Sequence, residues 1–343
     1  MASIGIDTHK ATLACSAVDE LGRPLAGRTF GNDPRGHAAL LSWVQRQPAP
    51  RRVGIEGAGS FGAALAEVLV AAGEAVVEVP AQFTDRERRS LLQRGKSDTG
   101  DALAIARLTA REPRLPALRR PGVIADLKLL VGAREQLVGE RTRLVNQLHA
   151  DLLVLAPGYG ARLPNLTAAR HQAAAARLLG RRNGVRAELA RGRLRRLRRL
   201  SAEAERLEQR ITTLLAASGS SLPNLAGIGA LTAAKLLGEA GDVTRYRGPA
   251  SFAAASGTAP VPASSGQRQR HRLNRGGNRQ LNRALHTMAL VQSRWDPRAQ
   301  AYLARRLADG KTRLEAIRAL KWHLARVVYR TMLADAHRVT PTA

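Results

Sequence analysis

Apolar residues alternate with turn formers along the first 80 positions, and the period then changes. Ile4-Gly5-Ile6-Asp7 reads as a short strand ending in a carboxylate. Ala11–Val18 reads as a second strand and Pro24–Phe30 as a third, joined by the turn Asp19-Glu20-Leu21-Gly22. Asp33-Pro34 opens a helix to about Gln45, with proline at the first helical position. Arg52–Glu56 is a fourth strand, again ending in a carboxylate. Gly59–Ala72 is helical, Gly73 stops it, and Ala75–Val79 is a fifth strand. Three strands joined by short turns, followed by alternating helix and strand, is the order of an RNase-H-like sheet.

Beyond residue 80 the helical period takes over. Residues 81–120 are basic and helical with a break at Arg94-Gly95. One long helix is expected over Val123–Leu155, interrupted afterwards by Pro157-Gly158 and the segment around Pro164. A second long helix is expected over Val185–Ala217. Its apolar positions Leu197, Leu200, Ala204, Leu207, Ile211 and Leu214 are spaced alternately by three and four, a heptad seam that predicts an antiparallel coiled-coil arm. Residues 222–343 are helical. Leu222–Gly229 followed by Leu231–Ala240 reads as a helix-hairpin-helix, whose Gly-Ile-Gly turn could present amide groups to a phosphate. The expected class is α/β plus all-α, in three parts: an RNase-H-like domain over 1–120, a coiled-coil linker over 121–220 and a helical domain over 221–343.

Charge narrows the partners. The 343 residues carry 55 Lys+Arg against 27 Asp+Glu, a net +28. Residues 1–120 hold 17 basic and 13 acidic side chains, so the rest of the chain carries +24. A field of that size selects polyanions. Ten arginines fall within residues 177–199, among them Arg193, Arg195, Arg196, Arg198 and Arg199, a block suited to tracking phosphates. The single cysteine, Cys15, excludes an internal disulfide and a multi-cysteine zinc site. No apolar run approaches the ~20 residues of a membrane span, and the amino end runs at once into a strand with an acid, which predicts a cytoplasmic protein without a leader. Aromatic residues are 3% of the chain, which argues against a base-stacking platform.

Two constellations could carry chemistry. Asp7 and Glu56 end the first and fourth strands, and Asp98 and Asp101 are three apart, on one face of a helix. An RNase-H-like sheet sets those strand ends side by side, so four carboxylates would converge, repel one another and call for hard cations such as Mg²⁺. The second is Gly257–Gln280, in which Ser264-Ser265-Gly266 is followed by Arg268, Arg270, Arg272 and Arg275. Hydroxyls beside a dense arginine cluster suit attack on a phosphate.

These residues resemble a known family. Gly5-Ile6-Asp7-Thr8-His9-Lys10, Ile55-Glu56-Gly57-Ala58-Gly59-Ser60-Phe61-Gly62, Gly95-Lys96-Ser97-Asp98 with Asp101-Ala102, and the stretch from Leu225 through Arg283 resemble, in order, the insertion-sequence "IS one-ten" transposases, the DEDD type related to the Piv/MooV DNA invertases. The resemblance spans about residues 3–333. It implies a RuvC-like first domain, a coiled-coil linker and a helical transposase domain that recombines DNA. It implies Mg²⁺ at a DEDD tetrad of Asp7, Glu56, Asp98 and Asp101. It also implies a serine nucleophile, which falls on Ser265, with Ser264 beside it. A structured bridge RNA pairing with donor and target DNA, and a tetrameric assembly, come from the same resemblance. Ala58, Phe61 and Gln267 stand where many members carry Thr, Tyr and Lys.

Three other readings start from the same residues. An actin-like ATPase or sugar kinase begins with a similar strand pair but needs further glycine-rich phosphate loops. A junction-resolving nuclease would use the carboxylates alone and leave no protein–DNA link. A non-catalytic nucleic-acid-binding protein derived from a transposase would keep its affinity without the carboxylates.

Overall fold

The computed structural model describes residues 1–81, 83–84, 98–118, 122–262, 271–272, 274 and 276–339. Tertiary contacts divide the chain into two compact units, Met1–Pro121 and Gly122–Ala343.

The first unit is built on a five-stranded sheet: β1 (Ala2–Thr8), β2 (Thr12–Val18), β3 (Pro24–Gly31), β4 (Arg51–Ile55) and β5 (Val76–Glu78), in the order β3-β2-β1-β4-β5. The first three strands run antiparallel, and β4 and β5 run parallel to β1. The alternation in β1 sends Ile4 and Ile6 to one face, where they pack with Leu13, Val53, Ile55, Leu40 and Val44 of α1 (Pro34–Gln45), and Leu65 and Leu69 of α2 (Ala63–Ala71). The other face of the sheet receives α3 (Asp98–Arg111), whose Ile105 and Leu108 join Val77 and Val79. Helix α1 starts where sequence places it, because the Asp33 carboxylate accepts from the Gly36 amide at 2.8 Å with Pro34 at the first helical position. Helix α2 starts four residues later than the Gly59 expected. Residues 56–62 fold into turns in which Gly57, at φ +75°, accepts at its carbonyl from the amides of Ser60 and Gly62. The expected break at Arg94-Gly95 lies outside the described residues.

The second unit is helical. Two 33-residue helices, α4 (Val123–Leu155) and α6 (Val185–Ala217), match the expected spans. They pack antiparallel, since Arg134 pairs with Glu208 at one end and Asp151 with Arg193 at the other. Ala187, Ala190, Leu194, Leu197, Leu200, Ala204, Ile211 and Leu215 form the buried stripe of α6. Between these helices a further helix, α5 (Ala169–Gly180), packs near the hairpin's tip, where Leu148, Leu152, Tyr159, Leu163, Leu179 and Leu194 form a small core. The other ends join a larger core with α7 (Ala230–Ala240), α8 (Pro249–Ala255), α9 (Arg279–Trp295), α10 (Pro297–Ala308) and α11 (Arg313–Val339), centred on Leu127, Ile211, Leu236, Phe252, Leu285 and Val328. Before the Gly-Ile-Gly turn the chain forms one 3₁₀ turn, Leu222–Asn224, and after it α7. Gly227 in that turn has φ +79°. A two-stranded hairpin, β6 (Val261–Pro262) with β7 (His271–Arg272), precedes α9. No helix among the described residues is long and apolar enough to cross a membrane.

Candidate active site

A repeated triplet positions the acids of the first unit. β1 ends Gly5-Ile6-Asp7 and β4 ends Gly54-Ile55-Glu56. The strands pair in parallel with Gly5 opposite Gly54 and Ile6 opposite Ile55. The Glu56 amide then donates to the Ile6 carbonyl at 3.1 Å, so the ladder runs one step past Ile55 and sets Glu56 beside Asp7. The Thr8 hydroxyl fixes the same corner by donating to the Glu56 carbonyl at 2.8 Å.

The glycines of the triplets are landing points for α3. A Cβ on Gly5 would lie 2.3 Å from the Ala102 carbonyl oxygen and 2.1 Å from the Ala106 nitrogen. A Cβ on Gly54 would lie 1.9 Å from the Thr109 hydroxyl. Helix and sheet backbones therefore touch directly. Asp7 shares Gly5's face about 7 Å along the strand, and Asp98 and Asp101 lie in the first turn of α3, just ahead of the contact. The amide dipoles of that turn favour negative charge.

Asp7 and Asp98 come together across His9. The His9 Nε2 atom is 3.2 Å from Asp7 Oδ2 and 3.3 Å from Asp98 Oδ1. The three side chains offer ligand atoms within 4.8 Å of one another. His9 Nε2 is itself buried yet aligned for a hydrogen bond with neither acid. The imidazole rides on the tight β1–β2 turn. The His9 amide donates to Thr12, and its carbonyl accepts from the Asn32 side chain at 2.8 Å; Asn32 is in turn held by His37. Asp101 is buried, one helical turn from Asp98, and Glu56 is half-buried beside Asp7; neither belongs to the 4.8 Å group. An orphaned nitrogen between two carboxylates suits a cation. Carboxylate oxygens favour Mg²⁺ or Mn²⁺, and the imidazole adds a softer donor. His9 was legible as part of Asp7-Thr8-His9-Lys10, but a role for it was not. Cys15 takes no part: burial pushes its thiol far above the usual range.

The arginines expected to meet nucleic acid divide. Arg193 pairs with Asp151, Arg196 with Glu140 at 3.0 Å, and Arg198 donates to the Gln172 carbonyl at 2.8 Å, so these three also tie the hairpin together. Arg195 and Arg199 are exposed. Ser264, Ser265, Arg268, Arg270 and Arg275, and the side chain of Arg272, lie outside the described residues.

Comparison with known proteins turns the geometry into a family. Residues 4–157 match the DEDD transposase family of IS110, described as "Transposase", and residues 220–304 match "Transposase IS116/IS110/IS902 family". The chain belongs to the IS110 family of transposases. Relatives include the 44.8 kDa protein of insertion element IS116 from Streptomyces clavuligerus, 27% identical over 98% of this chain and 96% of that protein. The 42 kDa protein of IS900 from Mycobacterium paratuberculosis is 25% identical over 99% and 98%. The 43.6 kDa protein of IS110 from Streptomyces coelicolor is 38% identical over 38% of this chain and 32% of that protein. Among solved structures, Thermus thermophilus RuvC in complex with a Holliday junction substrate aligns at 22% identity and a TM-score of 0.28, covering 34% of this chain and 99% of that one. Membership in the IS110 family makes this chain a DNA-cutting and rejoining enzyme of the transposase type.

Proposed function

We propose that this transposase breaks and rejoins DNA at a tetrad of Asp7, Glu56, Asp98 and Asp101, with Ser265 as its nucleophile. The observation that supports it most is the parallel register of the two Gly-Ile-acid strand ends beneath the first turn of α3. In this reading the four carboxylates hold Mg²⁺, and His9 lies against two of them. The bound ion would neutralise the carboxylates and polarise a phosphodiester. The Ser265 Oγ gives up its proton and forms a bond to phosphorus as a sugar oxygen leaves and is protonated. A released sugar hydroxyl later attacks the phosphoserine, which restores the serine and rejoins DNA. Arg268, Arg270, Arg272 and Arg275 follow Ser265 in the chain and suit the charge that develops on the phosphate.

The tetrad belongs to residues 1–120, the serine to residues 221–343, and the coiled-coil arm of 121–220 stands between them in sequence. The nucleophile is carried to the carboxylates only in an assembly, a tetramer holding donor and target DNA with a bridge RNA that pairs with both. The charge of +24 outside residues 1–120 supports two polyanionic partners.

The test traps the covalent adduct on suicide DNA and locates it by peptide mapping. Ser265→Ala assembles but forms no adduct, and Ser264→Ala keeps substantial activity. Linkage at Ser264, or recombination by Ser265→Ala, would overturn the assignment. An adduct-free nuclease activity would favour a junction-resolving enzyme.

A further inference from the structure

A cleft of about 750 Å³ opens in the second unit between the Gly257–Pro260 segment and helices α10 and α11, a size typical of small-ligand sites. At its wall Lys321 is 6% exposed. Its ammonium donates to the Asn282 side-chain oxygen at 2.8 Å, and among the described residues no carboxylate pairs with it. Asn282 in turn donates to the carbonyls of Ser256 and Gly257, at 3.0 and 2.9 Å. Lys321 is thus held against the backbone that leads, eight residues on from Gly257, to Ser265.

The cleft is cationic. Arg306, Lys311, Arg318 and Lys321 line it, with Glu315 as the one carboxylate among its lining residues. Glu315 is engaged by the Thr312 amide and hydroxyl, both at 2.9 Å. Burial, then Arg318, lowers the Lys321 ammonium below the usual lysine range. Burial, then Arg326, Arg306 and Arg305, lowers the His323 imidazole. Arg306 pairs with Asp309 at 3.3 Å and Arg318 with Glu315 at 3.9 Å, so the buried cation left without a carboxylate among the described residues is Lys321, and that is costly in a fold unless an anion enters. One wall is aromatic, in a chain that is 3% aromatic overall. The His323 ring is packed edge-on against Tyr302 at 5.1 Å and Trp322 at 4.8 Å.

We propose that this cleft binds one unpaired nucleotide of a DNA or RNA strand, its phosphate drawn to Lys321, Arg318 and Lys311 and its base laid against Tyr302 and Trp322. A duplex presents phosphates outward and keeps its bases stacked inside. A nine-tenths buried ammonium beside an aromatic wall instead suits a nucleotide that has left the stack. The site rests on the reading that this transposase handles nucleic acid beside Ser265, and it adds where one strand is held.

The test uses the full chain with octamers of deoxythymidine and of uridine, each carrying one 5-iodo base, and a duplex control. Anisotropy is expected to show at least a tenfold loss of single-strand affinity for Lys321→Met, recovery with Lys321→Arg, and little change for the duplex. Photocrosslinks are expected on peptides carrying Tyr302 or Trp322. Tighter DNA binding assigns the cleft to a recombining strand, tighter RNA binding to a guide, and both uphold it. Wild-type affinity in Lys321→Met, or crosslinks confined to other peptides, would overturn it. If Lys321→Met does not fold, Trp322→Ala and the crosslink map of the parent protein decide. Recombination by Ser265→Ala would defeat the serine reading and leave the cleft standing; normal octamer binding by Lys321→Met would do the reverse.

Discussion

The Ala106 amide nitrogen lies where a Cβ on Gly5 would need to be, 2.1 Å from it. This one contact sets how far α3 stands above β1, and so how closely Asp98 approaches Asp7. A methyl group at Gly5 cannot be accommodated by a rotamer change, because the obstacle is backbone. Gly5→Ala is therefore expected to cost about 3 kcal/mol of stability, at the upper end of overpacking, and to abolish recombination. Urea denaturation and a strand-transfer assay check both; a variant of parental stability would show that α3 moves freely.

A cation titration tells the acids of a metal site from ordinary surface carboxylates. Asp7 is buried, and His9 Nε2 stands between it and Asp98. Mg²⁺ or Mn²⁺ is expected to raise the melting temperature of the parent protein. At a hundred times its dissociation constant an ion adds about 2.7 kcal/mol. Asp7→Asn should lose that response and all recombination while keeping affinity for nucleic acid, since in this reading the acid binds metal and not bases. Calorimetric titration with Mn²⁺ checks the binding directly.

The arm offers a contrast within one arginine block. Arg195 and Arg199 are exposed, whereas Arg193 is paired with Asp151 across the hairpin. Neutralising Arg195 and Arg199 together is expected to flatten the dependence of log affinity on log salt by about two units, near one per phosphate contact, with stability unchanged. Arg193→Gln should also lower stability, because Asp151 is buried and would lose a charge partner. Affinity measured across a salt series, with thermal melts of each variant, distinguishes the two.

Asp335 locks the start of the 3₁₀ turn at Leu222. It accepts from the Ser221 amide at 2.8 Å and hydroxyl at 2.7 Å, and Arg338 pairs with it. Burial opposes its ionised form, but the Ser221 hydrogen bonds and Arg338 prevail and hold the carboxyl below its usual range. A lowered acid stabilises the fold above its unfolded pKa of about 3.9, and that contribution fades as pH falls through the lowered folded value. Asp335→Asn is expected to cost about 1–3 kcal/mol at pH 7. The gap between variant and parent should narrow below pH 4 in urea titrations.

The strands of the first unit were legible because period-two alternation is a local signal. Ile4 and Ile6 announce a core face without knowledge of what packs there. The two 33-residue helices were legible from local signals too: Pro157-Gly158 closes the first, and apolar residues three and four apart mark the second. Helix α5 was not. Its buried positions are Gln172, Ala175 and Leu179, and alanines on every side leave no contrast between faces. The seam of α6 also shifts at its end: Leu215 is buried and Leu214 half-buried, because α6 there joins the larger helical core. At the site, the strand-end acids and the Asp98/Asp101 pair could be read from spacing. The place of His9 could not, since it depends on a helix almost 90 residues away. The need for glycine at Gly5 and Gly54 comes from α3 lying on them, a contact that spacing along the strands does not announce. Arg193 looked like a phosphate ligand because its partner, Asp151, is 42 residues distant.

The hairpin of α4 and α6 has cores at both ends, Leu127, Val131, Ile211 and Leu215 at one and Leu148, Leu152, Leu194 and Leu197 at the other. Each helix runs about 50 Å, and its face turns through about 100° with every residue. Its length is therefore counted, not continuously adjustable. Seven residues added to or taken from both helices move one core by about 10 Å along the axis and leave both cores in phase. Two residues, or five, would instead turn one core's leucines through about 140–160°, toward water. The hairpin is a ruler graduated in turns of helix, and its reach changes by marks rather than continuously.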